Sequence, residues 1–384
     1  MARSGRPVFV VDAARTPYGR RGGALANWHP VDLAAEMLCR LLLRAGVEAG
    51  QVEGVFLGCT SQLGAQAGNI ARRATLAAGW PESLPGATVE AHAASSAQAV
   101  QCAAAAVASG SQDVLVAGGV EAMSTVPLGA SLAQPVVGKP LGRRLAERYS
   151  GGQGLPPPGL AAEEVARRWS LRRADLDAWA LGSHRKARAS QAGAPGYLVP
   201  LGGLDRDEDL EHPPSRSGVR GLVPAYLPGG VVTAANMASE GDGASAVVVA
   251  SGAAVRKLAL GPKARLVTLA SAGGKPALWP VATVPATRLA LRKARLASDA
   301  IDWWYVHESS SAAVLAWVTE MGVPAERVNP EGGALASTDP AGAAGAGLLA
   351  MAVQCLAEGR GRRALVGVAG EGGIGLACIL EQPG

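Results

Sequence analysis

Aromatic side chains are scarce in this chain, whose 384 residues hold two phenylalanines against 51 glycines. A core short of bulky rings must close by letting backbones approach, which suits a layered α/β body packed around small-residue helices. Cysteines are few and odd in number: Cys39, Cys59, Cys102, Cys355 and Cys378. No pair has Cys-x-x-Cys spacing, which argues against a disulfide frame or a zinc site and for a reducing compartment. Long apolar runs are missing too. Pro7–Val11 is too short for a secretion signal and no window approaches a membrane span, so a soluble, cytoplasmic protein without a membrane partner is expected. Net charge is +5, yet no run of Lys and Arg reaches the length of a nucleic-acid arm, and no nucleic-acid partner is expected. The short clusters Arg143-Arg144, Arg167-Arg168, Arg172-Arg173 and Arg362-Arg363 read singly as solvated helix ends.

What the chain does have is alternation of strand and helix patterns. Pro7–Asp12, Val52–Gly58, Ala87–Glu90 and Val114–Ala117 read as strands; Pro30–Ala45, Asn69–Ala78 and Ser95–Ala108 read as helices. The last third repeats the order. Strands are expected at Ala264–Leu269, Asp302–Val306, Ala364–Val368 and Gly375–Leu380, with helices inside Val281–Ala294 and over Ala343–Ala357. Ala99-Val-Gln-Cys102 in the first Ala-rich helix recurs as Ala352-Val-Gln-Cys355 in the second, and the shared order of elements points to two similar halves. Strand–helix alternation predicts right-handed crossovers and mostly parallel sheets. Between the halves the rhythm breaks. Gly151–Gly159 is Gly/Pro-rich and Asp205–Ser217 mixes charge with proline, while Ala161–Ala189 is helical. The expected division is therefore 1–123, an insertion over 124–230, and 231–384, with a first-half strand regained at about 231–252.

Four short loops carry the candidate chemistry. They are Thr88-Val-Glu-Ala-His-Ala-Ala-Ser-Ser, Tyr305-Val-His-Glu-Ser-Ser-Ser, Gly332-Gly-Ala-Leu-Ala-Ser-Thr-Asp-Pro and Ala369-Gly-Glu-Gly-Gly. With Asp12-Ala-Ala-Arg-Thr-Pro-Tyr-Gly, Ala117-Gly-Gly-Val-Glu-Ala-Met-Ser and Val232-Thr-Ala-Ala-Asn, these run in the order of the thiolase family, which the chain resembles over nearly its whole length. That resemblance implies an α/β, five-layer αβαβα fold of two similar halves with an inserted loop domain, assembled as a dimer or tetramer. It also implies an acyl thioester of coenzyme A or of carrier-bound phosphopantetheine as substrate, with no permanently bound cofactor. The basic 163–190 stretch then becomes a candidate mouth for the coenzyme A phosphates.

The family's loops typically read Cys-x-Ser, Asn-Glu-Ala-Phe, Gly-His-Pro and Cys-x-Gly. On that resemblance Ala93 stands at the nucleophile position, Asp339 at the activating histidine, Ala369 at the acid/base cysteine and His307 at the asparagine, with Glu308 kept. An alanine methyl cannot attack a thioester, which requires a thiolate. The polar candidates that remain are His307, Glu308, Asp339 and Glu371, with His92 beside them. A histidine among carboxylates suits general acid/base work, and a salt-bridged plug fits the same residues. Their spacing matches no metal motif. Ser96 is the secondary nucleophile candidate, one helical turn below Ala93; the plainer reading is that Ser95 and Ser96 cap the first turn. The backbone N–H groups of Ala93 and Glu371 remain available to a thioester carbonyl.

Two functions stay open at this level. One is a divergent thiolase-like enzyme doing retro-aldol, decarboxylation or acyl-transfer chemistry on a thioester without a cysteine nucleophile. The other is a pseudoenzyme, a non-catalytic subunit pairing with an active thiolase or ketosynthase. Ordinary thiolase activity is not expected, whereas a homodimer, or a heterodimer with a thiolase-like chain, is.

Overall fold

The computed structural model describes residues 5–133, 138, 140, 142–149 and 155–384. Among the described residues ten strands are formed: β1 Val8–Arg15, β2 Gly19–Arg20, β3 Val55–Gly58, β4 Gly86–Val89, β5 Val114–Ala122, β6 Gly241–Ser251, β7 Ala264–Gly273, β8 Trp303–Val306, β9 Arg363–Gly370 and β10 Ile374–Glu381. They hydrogen-bond in the order β4-β3-β5-β6-β1-β7-β10-β9-β8, with β2 on β6. The order shows the two halves. From β1, an antiparallel β6 and an antiparallel β5 lead to the parallel β3 and β4; from β7, an antiparallel β10 and an antiparallel β9 lead to the parallel β8. The sheet is therefore mixed, not mostly parallel as the alternation suggested. Three residues, Glu371–Gly373, join β9 to β10, and so short a link permits only an antiparallel return.

The helices among the described residues are α1 Pro30–Ala45, α2 Ile70–Ala77, α3 Ser95–Ser109, α4 Arg143–Arg148, α5 Pro158–Arg168, α6 Arg173–Gln191, α7 Arg216–Gly221, α8 Gly252–Lys257, α9 Thr283–Ala294, α10 Ser311–Met321, α11 Ala334–Ser337 and α12 Ala341–Ala357. Helix α12 is buried on all sides; α3 is buried along one face, through Ser96, Ala99, Val100, Ala103 and Val107. Helix α12 is thus enclosed, whereas α3 leaves its other face partly exposed. The two helices share one apolar cluster with residues of β1, β5, β9 and β10, which makes helices the middle layer of the five-layer αβαβα fold. Gly345 allows the close approach. A Cβ there would meet the Ala97 Cβ at 2.8 Å, so any larger residue would push α12 off α3.

The insertion is anchored to both halves. Buried Arg15 of β1 forms a two-bond pair with buried Asp207, at 2.6 and 2.8 Å, and its guanidinium stacks 4.2 Å from the Tyr18 ring. Ala161 of α5 packs against Trp279 and Ala369 of the second half. The Gly/Pro-rich run expected at 151–159 lies outside the described residues as far as 154.

Candidate functional site

Where the loops at the carboxyl ends of β3, β4, β8 and β9 meet, a narrow pocket of about 80 Å³ opens. His92, Ala93, His307, Asp339 and Glu371 all line it. Larger grooves of about 620 and 450 Å³ run along α6, the first beside Arg173, Arg185, Arg216 and Arg220.

The central pair is His307 and Asp339. His307 follows β8, whose end is held by Asn329: its amide takes the Val306 N–H and returns a bond to the Val306 carbonyl. The His307 backbone N–H reaches the Gly367 carbonyl at 2.9 Å, fixing where the ring points. Its Nε2 lies 2.8 Å from Asp339 Oδ2, and Nδ1 has no partner. Asp339 sits just before α12, where a carboxylate is favoured by the helix N-terminus. Thr338 ahead of it has a φ of 70°, an uncommon backbone state for a β-branched residue and a local store of strain. The loop is held in that state by the Asp339 N–H on the Ser239 carbonyl at 2.8 Å. Burial pushes the His307 pKa down, but the charge and hydrogen bond of Asp339 outweigh it, and the net shift is upward.

Opposite stands a looser pair. His92, with a φ of 51°, lies 3.9 Å from a Glu371 oxygen and 3.7 Å from Glu90. Burial raises the Glu371 pKa; the His92 imidazole opposes the shift and Glu90 adds to it. The N–H groups of Ala93 and Glu371 donate no hydrogen bond among the described residues.

Several expected residues are placed elsewhere. The Glu308 carboxylate does not face His307 or Asp339. It accepts from Trp179 Nε1 at 3.1 Å, Ser183 Oγ at 2.7 Å and Asn329 Nδ2 at 2.8 Å, tying β8 to α6. Ala369 is buried behind the pocket against Ala161 and Trp279. Ser95 donates to the His92 carbonyl and accepts from Ala91 N–H. Ser96 caps nothing in its own helix; its Oγ accepts the Ala346 N–H of α12 at 3.0 Å. Neither serine lines the pocket. Reading the sequence missed Thr60, Met123, Met237 and Trp279, which do line it. Thr60 had an available signal in the Gly-Gly-Val-Glu motif. Buried Glu121 accepts from the Thr60 N–H and hydroxyl, from Gln66 and from the Gly342 N–H, joining the β3 loop to the start of α12.

Comparison with known proteins agrees with this geometry. The thiolase N-terminal domain model matches residues 8–253 and the thiolase C-terminal domain model residues 260–382. The steroid 3-ketoacyl-CoA thiolase FadA6 of Mycobacterium tuberculosis is 37% identical over 97% of this chain and 94% of its own. A beta-ketoadipyl-CoA thiolase of Pseudomonas aeruginosa is 38% identical over 98% of this chain and 99% of its own. The crystal structure of the Bacillus anthracis acetyl-CoA acetyltransferase superposes with a TM-score of 0.89 at 30% identity, covering both chains completely. These relatives overturn the expectation of a divergent, non-standard enzyme or a non-catalytic subunit, because proteins similar over nearly the full length are named as thiolases. Matched by both domain models and by relatives over almost every residue, the chain belongs to the thiolase family.

Proposed function

We propose that this protein acts as a thiolase on a 3-ketoacyl-CoA thioester, the substrate class named for its relatives. The observation that carries the reading is the buried His307–Asp339 pair at the pocket where the four loops meet. In the net reaction the sulfur of coenzyme A bonds to the C3 carbonyl carbon and gives up its proton. The C2–C3 bond breaks with its electron pair left on C2, and C2 takes up a proton to leave acetyl-CoA. Two proton transfers are needed, and the pocket offers two acid/base pairs. His307, whose pKa is shifted upward by Asp339 against the effect of burial, is the donor toward the carbanion at C2. Glu371, with a raised pKa beside His92, is the second proton carrier. The free N–H groups of Ala93 and Glu371 are the donors for the thioester oxygen on which negative charge builds. Position 93 contributes that N–H and a methyl wall, since its side chain is alanine. The arginine-lined groove along α6 is the surface for the coenzyme A phosphates, where guanidinium forks match phosphate oxygens.

The test is to incubate the purified chain with a 3-ketoacyl-CoA and coenzyme A and to follow acetyl-CoA by chromatography. Acetyl-CoA should form, and His307→Ala should slow it by about 10²–10⁴-fold, the usual cost of losing a general acid. No acetyl-CoA above the protein-free blank would overturn the reading.

We further propose that the protein works in the cytoplasm as a homodimer through β4. This four-residue strand ends the sheet, and its outer N–H and C=O groups have no strand partner among the described residues. Light scattering at micromolar concentration should give twice the chain mass; a monomer would refute the assembly.

A further inference from the structure

We infer that the acyl group accepted in this pocket is uncharged, and that chains ending in a carboxylate are excluded. The inference rests on the thioester reading above and adds what that reading leaves open, since relatives differ in this respect by name: one is named for a β-ketoadipyl substrate, a dicarboxylic chain, and another for a steroid.

The charges around the pocket decide it. Three carboxylates line the cavity: Glu240, Asp339 and Glu371. The basic side chains on the same wall are the imidazoles of His92 and His307, and no lysine or arginine lines it among the described residues. Each imidazole already faces an acid, His307 at 2.8 Å from Asp339 and His92 at 3.9 Å from Glu371. Glu240 is paired with Arg21 at 3.1 Å, so that guanidinium is also engaged. A terminal carboxylate entering here would lose its hydration, meet carboxylates and find no free cation among the described residues. Met123, Leu128, Met237 and Trp279 offer polarisable, apolar contact to a neutral chain, and the other polar lining residues, Thr60, Ser239 and Ser309, are uncharged. The Trp279 indole N–H, buried without a partner, suits a neutral oxygen; one such donor does not offset the lost hydration of a carboxylate.

The experiment measures binding and turnover separately. Hexanoyl-CoA and adipyl-CoA have the same chain length, differ at the far end by methyl against carboxylate, and lack the 3-keto group, so neither can be cleaved. Isothermal titration should show hexanoyl-CoA binding at least about a hundredfold tighter, because placing like charges together costs several kcal/mol and each 1.4 kcal/mol is tenfold. Glu371→Gln should narrow that ratio by weakening adipyl-CoA exclusion. Turnover of 3-oxohexanoyl-CoA should exceed that of 3-oxoadipyl-CoA in kcat/KM by a similar factor. Equal binding of the two acyl-CoAs, tighter binding of adipyl-CoA, or binding of neither would overturn the inference. The hundredfold binding ratio with no turnover of either keto thioester would leave the inference standing and sink the thiolase reading alone.

Discussion

Ser96 of α3 accepts the backbone N–H of Ala346 in α12 at 3.0 Å, directly beside the Gly345–Ala97 contact that lets the two helices touch. The hydroxyl that looked like a reserve nucleophile is thus spent on the central helix pair. Ser96→Ala should cost about 1 kcal/mol of unfolding free energy in a urea titration, the usual value of one such bond. Turnover should change by less than about threefold. A loss of activity out of proportion to stability would return Ser96 to the chemistry.

Glu308 is a joint between β8 and the insertion. With Trp179, Ser183 and Asn329 all donating to its carboxylate, Glu308→Ala leaves several buried donors unmet. Unfolding free energy should fall by about 3 kcal/mol or more. Limited proteolysis should then cut first within 155–230, as the insertion loosens from the second half. An unchanged melting temperature and cleavage pattern would remove Glu308 from this role.

The His307–Asp339 pair should leave a signature in the pH dependence of stability. The folded pKa of His307 is raised. Its contribution is therefore fully present below the unfolded histidine value, about 6.5, and is lost as pH rises through the folded value. Urea titrations between pH 6 and pH 9 should show wild-type stability falling across that window, with a flatter curve for His307→Gln. Identical curves would mean that the pair does not hold the proton.

Thiol reactivity should follow burial. Cys59, Cys355 and Cys378 are buried, and burial pushes the Cys355 thiol up to about 11 and the Cys378 thiol up to about 12. Iodoacetamide at pH 8, read by mass spectrometry, should label Cys39 and Cys102 and spare these three until the chain is unfolded. Ala93→Cys should add one labelled site, since position 93 lines the pocket. Labelling of Cys59 in the native protein would show that the floor beneath Glu121 is open.

Much of this architecture is written locally. Helix α1 begins and ends at the residues its pattern marks, because Pro30 and Asp32 start it and Gly46, at a φ of 63°, stops it. Helix α12 announced its burial by carrying no charged side chain on any face. The first two loops stand between strand and helix, the third leads into α12 and the fourth joins two strands, and all four were singled out by their likeness to one family. That likeness, read residue by residue, also suggested lost chemistry, which relatives over the full length do not support. What the sequence by itself determined was therefore which residues stand at the ends of which elements. Only the tertiary structure decided where their side chains point. His307 and Glu308 are neighbours in the chain, yet one turns toward Asp339 and the other toward α6, as successive residues of an extended backbone must. Likewise the joining of β1 to β7 depends on which long-range partner offers free N–H and C=O groups, and no local pattern encodes that choice.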